Sequence, residues 1–387
     1  MVPSVDSLAL AAAVFIALWV LIWFAFRGRK GRLQVYPLLL IVRSGVSLEP
    51  YSGGLLPRLL SWAGWFSIAL FIVAMVSFYV LIVELIRARY FSGETLPGGA
   101  QPGLVPLIPG VTVPLDANLF FILVAVGLAI VVHEAAHALI ARASGVKVKD
   151  FGLLLLAFIP GAFVEPDEAS LKKAPLTSRL KIYSGGVMGN IVLAFIAFLL
   201  LTALASTAST YIVIQEVLEN SPASEAGLKP GMVIVEVEGS PVKTIGEFTA
   251  ALEKLGVKDK EKSVTFNVKV IYEGEELELK VFKPEGRDRI GVTVTQVFEF
   301  GLGESIIVPL LMALFMINLA LALINAAPIF VPTPMGALVT DGGHFLGDLI
   351  ARLGGEDAKR IVTPLVGVVT LAMVISLLTI FPIRVVP

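Results

Sequence analysis

Six runs along this chain are apolar for long enough to cross about 30 Å of hydrocarbon as helices rising about 1.5 Å per residue. They cover residues 8–26, 60–86, 118–143, 182–204, 305–323 and 361–381. Two further apolar pieces, 36–42 and 152–164, are too short to span and are expected to lie at the interface or re-enter. Between the fourth and fifth runs the pattern changes to a polar stretch over residues 211–298. There Val264, Phe266, Val268 and Val270 alternate with polar residues, Glu273-Gly274 supplies a turn, and Leu277, Leu279 and Val281 alternate again, which predicts a β-hairpin. Ile245, Phe248, Leu252 and Leu255 instead recur at helical spacing. The pattern thus predicts a polytopic α-helical membrane protein of about six transmembrane helices with an inserted α+β soluble domain. Four parts follow: two helices and their loops over 1–116, a helical core over 117–208, the inserted domain over 209–300, and a second piece of membrane core over 301–387.

Composition agrees with a bilayer, since 56% of the 387 residues are apolar and 16% are charged. A net charge of −1 gives no reason to expect a nucleic-acid partner. The chain has no cysteine, which excludes disulfides, thiolate ligands and cysteine nucleophiles, so any metal must be held by His, Asp or Glu. No Lys or Arg precedes the first apolar run, whereas Arg27, Arg29, Lys30 and Arg32 follow it, as in an anchor and unlike a cleavable signal. With Arg43 and Arg58 these make the first loop strongly basic. The loop after the third run repeats the bias with Arg142, Lys147, Lys149, Lys172, Lys173, Arg179 and Lys181. Both loops are therefore expected in the cytoplasm, which puts the termini and the inserted domain outside a cell membrane that the chain crosses several times.

The third run contains VVHEAAHALI, an H-E-x-x-H pattern at His133, Glu134 and His137. Residues four apart on a helix differ by about 40° around its axis, so both imidazoles can face one metal ion. Glu134, beside the first, is then placed to activate a metal-bound water as general base, the chemistry of amide hydrolysis by zinc. The bland alternative is that these groups only close a helix end or pair with polar neighbours. Ionisable groups inside a spanning helix are costly, which favours function. The one remaining histidine, His344, falls in residues 325–348, where three prolines before Asp341-Gly342-Gly343 preclude a continuous helix. The third and fifth runs point the same way through the bilayer, so both motifs reach one depth toward the cytoplasmic side. Asp341 is the expected third ligand and His344 its rival, unless Asp-Gly-Gly is only a turn opening the next helix. Glu165, Asp167 and Glu168 are expected to face water.

The segment SPASEAGLKPGMVIVEVEG (221–239), with RIGVTV (289–294), resembles PDZ domains, apart from Met232 where an acidic residue is usual. That resemblance implies a peptide-binding strand edge near Ile290 to Val292, for a peptide or a substrate ectodomain. The H-E-x-x-H helix, a later N-x-x-P followed by D-G-G, and the PDZ-like module between them together resemble the site-2 proteases, intramembrane zinc metalloproteases. The likeness runs from residue 118 onward and leaves the first two helices without a role. It implies Zn2+ held by His133, His137 and Asp341, Glu134 as the catalytic base, and Asn325 near the substrate backbone. GGVMGN (185–190) looks like the family's glycine-rich motif, whose Asn190 either positions substrate or packs the helix. Residues 151–168 look like its membrane-associated β-structure, able to pair with an unwound substrate, or else form a short buried or amphipathic loop. An insertion at about 330–338 departs from the family's spacing between Pro328 and the aspartate. The resemblance implies an endopeptidase cutting single-span or signal-peptide-like membrane proteins inside the lipid bilayer, with the PDZ-like module filtering them. The alternatives are a catalytically silent scaffold that binds peptides, and a metal-ion carrier, for which intramembrane acids are few.

Overall fold

The computed structural model describes residues 5–26, 31–93, 101–109, 111–301, 303–333 and 336–379, with side chains except at 5–12, 332, 333 and 336. Arg27, Arg29 and Lys30, and the end of the last apolar run at Phe381, lie outside the described residues. The elements in order are α1 (Val5–Phe26), β1 (Leu33–Tyr36), β2 (Leu39–Arg43), α2 (Leu55–Tyr90), α3 (Ala117–Ala143), β3 (Val148–Leu156), β4 (Ile159–Pro166), α4 (Glu168–Lys173) and α5 (Leu176–Thr207). There follow β5 (Ser209–Val217), α6 (Pro222–Glu225), β6 (Val233–Val237), β7 (Ser240–Pro241), α7 (Ile245–Lys254), β8 (Val264–Tyr272), β9 (Glu275–Lys283) and β10 (Val292–Glu299). The chain ends with α8 (Glu304–Ala326), β11 (Phe330–Thr333), β12 (Gly336–Val339) and α9 (Asp341–Leu377). Contacts divide it into two compact units, Met1–Leu200 with Pro309–Pro387, and Leu201–Val308.

Among the described residues, α2, α3, α5, α8 and α9 are long and apolar enough to cross a membrane; in α1 the described apolar stretch is the shorter Ala13–Phe26. Five such helices therefore stand where six were expected, and the protein is polytopic. Helix α2 begins after Gly53 and Gly54, both at positive φ, and carries Arg87 and Arg89 in its last turn, where the helix dipole favours cations. It braces the first unit. Ser67 hydroxyl meets that of Ser184 on α5 at 2.6 Å, Phe71 stacks on Phe345 of α9, and Tyr79 hydroxyl meets Thr370 at 2.8 Å. Helix α9 is interrupted at Gly355, whose φ of 82° breaks the helical path.

The two apolar pieces expected at the interface are strands of one antiparallel sheet in the order β1-β2-β3-β4, with Leu39 opposite Leu156. One end of this sheet is tied by charge. Arg43 lies 2.9 Å from Asp150 and 3.2 Å from Glu165, which also meets Lys149 at 2.8 Å. Burial pushes the Asp150 carboxyl up, but hydrogen bonds from Ser44, Arg43 and the N–H groups of Phe151 and Gly45 outweigh it and hold it below the ordinary carboxylate range. Lys149 and Arg43 likewise hold Glu165 low.

Strand β4 is an edge. Val164 donates its N–H to Glu134 at 2.9 Å instead of to β3, and alternation along an antiparallel pair turns Pro160, Ala162 and Val164 outward together. Pro160, and Pro166 beyond a register shift, have no N–H to offer, which is why prolines are tolerated in this strand.

The second unit is a six-stranded antiparallel sheet in the order β10-β5-β6-β8-β9, with β7 on β6. The expected hairpin is β8 and β9, turned by Glu273 (φ 53°) and Gly274 (φ 85°), the conformation of a two-residue mirror-image turn. The expected helix is α7, opened by a reciprocal Thr244/Glu247 capping box. Ile212, Ile234, Phe248, Phe266, Val268 and Val281 fill a core of its own.

Candidate metal centre

Helix α3 carries His133 and His137 on one side, and their Nε2 atoms approach to 3.0 Å. Asp341 Oδ2 lies 3.1 Å from the first and 3.3 Å from the second. The three side chains are only 10%, 12% and 16% exposed. The carboxylate arrives there because α9 begins at Asp341, its N-cap Thr340 accepting from the Gly343 N–H and donating to the Ala327 carbonyl at 2.5 Å. Gly342 is required for that approach: a Cβ would stand 2.2 Å from the Ala326 carbonyl oxygen. His344, the rival ligand, does not supply one of the three converging ligand atoms; its ring stacks on Tyr183 with ring centroids 5.5 Å apart.

Hydrogen bonds behind the rings decide their protonation. His137 Nδ1 faces the Ile182 carbonyl at 2.7 Å, a pure acceptor, so this nitrogen carries the proton. His133 Nδ1 faces Asn190 Oδ1 at 2.6 Å. The orientation of that amide is set by Asn318 of α8, which donates to the Leu314 carbonyl and so presents its own oxygen to Asn190 Nδ2 at 3.0 Å. With both Nδ1 atoms protonated, each neutral ring aims an Nε2 lone pair into the space shared with Asp341 Oδ2, a buried atom without a hydrogen-bond partner. Three converging lone pairs call for a cation. Two ligand atoms held at about 2.0–2.1 Å by a tetrahedral ion stand about 3.3 Å apart, so this N, N, O set fits zinc.

Helix α5 closes the rear of the group. A Cβ on Gly186 would stand 2.5 Å from both imidazoles, and one on Gly189 would stand 3.0 Å from Ala136. The glycines of 185–190 therefore let α5 and α3 touch, and Asn190, fully buried, stands behind His133. Asn318, also fully buried, was not singled out in the sequence. Its signal was an amide in the middle of an apolar run, seven residues before Asn325.

In front of the ligands opens a cavity of about 870 Å³ whose wall includes His133, Glu134, His137, Asp341, His344 and Asn325. Asn325 donates to the Leu321 carbonyl of its own helix at 3.0 Å. Farther out on the same wall Asp348 binds Arg179 and Lys359, each at 2.7 Å, so charge lines the outer part. Glu134 also borders a second, apolar cavity of about 450 Å³ between α3 and the four-stranded sheet. Its carboxylate thus stands beside the ligand group and against the outer edge of β4, along which α3 runs from Gly127 beside Pro160 to Glu134 beside Val164.

The family model described as peptidase family M50 matches residues 121–377. An uncharacterised protein of Methanocaldococcus jannaschii is 27% identical over 334 residues, 80% of this chain and 81% of its own. The membrane-bound transcription factor site-2 protease homolog of Arabidopsis thaliana is 29% identical over 210 residues, 52% of this chain and 39% of its own. The membrane metalloprotease ARASP of the same plant, chloroplastic, is 26% identical over 202 residues, 43% of this chain and 45% of its own. The chain spans less than half the length of these two plant relatives. The match begins within α3 and ends with α9, so α1, α2 and the hairpin of β1 and β2 precede it.

Proposed function

Because the chain belongs to peptidase family M50, we propose that it is an intramembrane zinc endopeptidase that hydrolyses peptide bonds within transmembrane segments of other membrane proteins. One observation carries this reading: two histidine lone pairs and an unpartnered buried carboxylate oxygen converge beside Glu134, at the wall of one cavity in a polytopic unit. His133, His137 and Asp341 hold the ion. Zinc bound there supplies a Lewis acid and lowers the pKa of a water toward neutrality. Glu134 takes the proton of the attacking water and returns it to the departing amine. Asn190 and the Ile182 carbonyl keep both rings in the ligating tautomer, and Asn325, on the wall of the same cavity, contacts the substrate backbone.

A helical substrate hides its carbonyls in its own hydrogen bonds, so it must unwind locally before it can be cut. The outward-facing N–H and C=O groups of Ala162 offer the unwound strand a partner beside Glu134. We read α1 as a sixth span, residues 209–300 as a PDZ-like module outside the cytoplasm, and the zinc site as lying toward the cytoplasmic side. The basic loops after α1 and α3 support that orientation. In the module, β10 pairs only with β5 among the described strands, so its other edge is the place for a peptide or a substrate ectodomain.

The test is zinc content together with cleavage of a detergent-solubilised single-span peptide by wild type and Glu134→Gln. We expect about one zinc per chain in both proteins and a loss of cleavage of at least about 10³-fold in the variant. Equal cleavage by the two, or bound metal without cleavage by wild type, would sink the mechanism, and the latter would favour a silent scaffold.

A further inference from the structure

We propose that β12, the second strand of the hairpin between α8 and α9, is a second pairing edge for the substrate, so that the strand to be cut is held between β4 and β12. This rests on the reading of the chain as a protease.

The backbone fixes which way β12 faces. Thr340 donates its N–H to the Ile329 carbonyl at 3.2 Å, and Ile329 returns its own N–H to the Thr340 hydroxyl at 3.0 Å. That pair closes the ladder between the strands, and alternation from it turns Leu338 inward and Ala337 and Val339 outward. The hairpin has two edges, and only one is open. On β11, Pro332 stands opposite Ala337 and has no N–H to give. Phe330 is pressed against α9 so closely that a Cβ on Gly367 would stand 2.4 Å from it. On β12, Ala337, Leu338 and Val339 carry no charge or proline to deter another strand, and Leu338 is 68% exposed.

The open edge leads into the catalytic cavity. Val339 and Thr340 line it together with Val164 and Pro166 of β4, Glu134 and the three ligands. Asp341 follows Val339 by two residues, while Val164 holds Glu134, so the metal ligand and the base each adjoin a strand that borders this cavity. Strand β4 alone makes a weak template. Of its outward positions Pro160 and Pro166 lack an N–H and Val164 gives its own to Glu134, which leaves as donor only Ala162, at the second cavity beyond Glu134, so that Val164 and Pro166 face the catalytic cavity with no N–H to offer. A substrate strand paired on one side would leave its other row of N–H and C=O groups without protein partners in the cavity. Ala337 and Val339 offer the partners for that row.

The experiment uses the zinc-loaded full chain in detergent and a single-span helical peptide whose cleavage site has been mapped. Val339→Pro deletes an outward N–H without removing a bond from the hairpin, whereas Val339→Ala shortens the side chain and keeps the N–H. We expect kcat/KM to fall about two- to tenfold more in Val339→Pro than in Val339→Ala, with zinc content unchanged, since one net hydrogen bond is worth up to about a factor of ten. The absence of natural cysteines allows a second arm. Ala337→Cys and, separately, Ala162→Cys are placed in the Glu134→Gln background and offered peptides with one cysteine walked past the cleavage site. Disulfides from both positions to the same short window, strongest at every second residue, support the two-sided strand. Capture by Ala162→Cys alone, a period near 3.6 at Ala337→Cys, no capture by either, or equal kinetics of the two Val339 variants overturns it. If Val339→Pro loses its zinc, the disulfide pattern alone decides. Failure of wild type to cleave the peptide, or cleavage by Glu134→Gln, instead overturns the protease reading on which the proposal rests.

Discussion

At the scale of single residues, Asn318 tests how far the metal site extends beyond its ligands. It touches neither the ligand atoms nor the cavity, yet it fixes the Asn190 amide that fixes the His133 ring. In Asn318→Leu, Asn190 Nδ2 loses its shorter acceptor and keeps only the Ala129 carbonyl at 3.4 Å, which weakens the hold against a flip that presents N–H to His133 Nδ1. The imidazole would then have to ligate in the wrong tautomer or turn. Zinc affinity, measured by competition with a chelator, is expected to fall about 10–100-fold while the protein still folds; an unchanged affinity would show that the amide relay is passive. The residues differ in how readable they were. His133, Glu134 and His137 stood out because helical geometry imposes their spacing. Asp341 needed a topological argument to bring two distant segments to one depth. Asn190 is reached only through the resemblance of GGVMGN, with its role left open, and Asn318 has no spacing that marks it, because each acts through a partner on another helix and the pairing exists only after folding.

At the scale of elements, the helices were legible in the apolar pattern, whereas of the four-stranded sheet only the part over 151–168, which falls in β3 and β4, was expected, and that from the resemblance and not from periodicity. Apolar runs of about 20 residues announce themselves, whereas Leu39-Leu-Ile-Val and Leu153-Leu-Leu-Leu lack alternation, and their pairing joins segments about a hundred residues apart. The charged end of that sheet explains how such apolar strands keep one register. Asp150 binds Arg43 and Ser44 and accepts N–H groups from Gly45 and Phe151, so a slip by one residue would strand a largely buried carboxylate. Asp150→Asn keeps the shape and removes the charge. It is expected to destabilise the protein by about 1–3 kcal/mol, a discounted figure because Arg43 is partly exposed, and thermal unfolding in detergent would read it. The sign of the pH dependence follows from the lowered carboxyl. Its contribution is complete above the ordinary value of 3.8 and is lost only as pH falls through the folded value below it. The gap in melting temperature between wild type and variant should therefore be the same at pH 8 and pH 5; a gap that shrinks toward pH 5 would show that the carboxylate is not held low.

At the scale of the whole molecule, the two units divide the labour. His133, Glu134, His137, Asp341, Asn190, Asn318 and Asn325 all belong to the first, and the second brings its own core and its own free edge at β10. Removing residues 209–300 cuts the chain between the end of α5 at Thr207 and the start of α8 at Glu304, so a short Gly/Ser linker can rejoin the helices without crossing either. None of the fifteen buried side chains of the second core takes part in the clusters that hold α2, α5, α8 and α9 together. The shortened chain is therefore expected to keep its zinc and to cut a short single-span peptide with kcat/KM within about twofold of wild type. If the module filters substrates, membrane proteins with an intact outer domain should change their relative rates, and those already trimmed to a short stub should not. Competition between an intact and a trimmed version of one substrate, digested together by each enzyme, measures this ratio directly. A ratio unaltered by the deletion would remove the filtering role, and loss of zinc on deletion would mean that the second unit also supports the first.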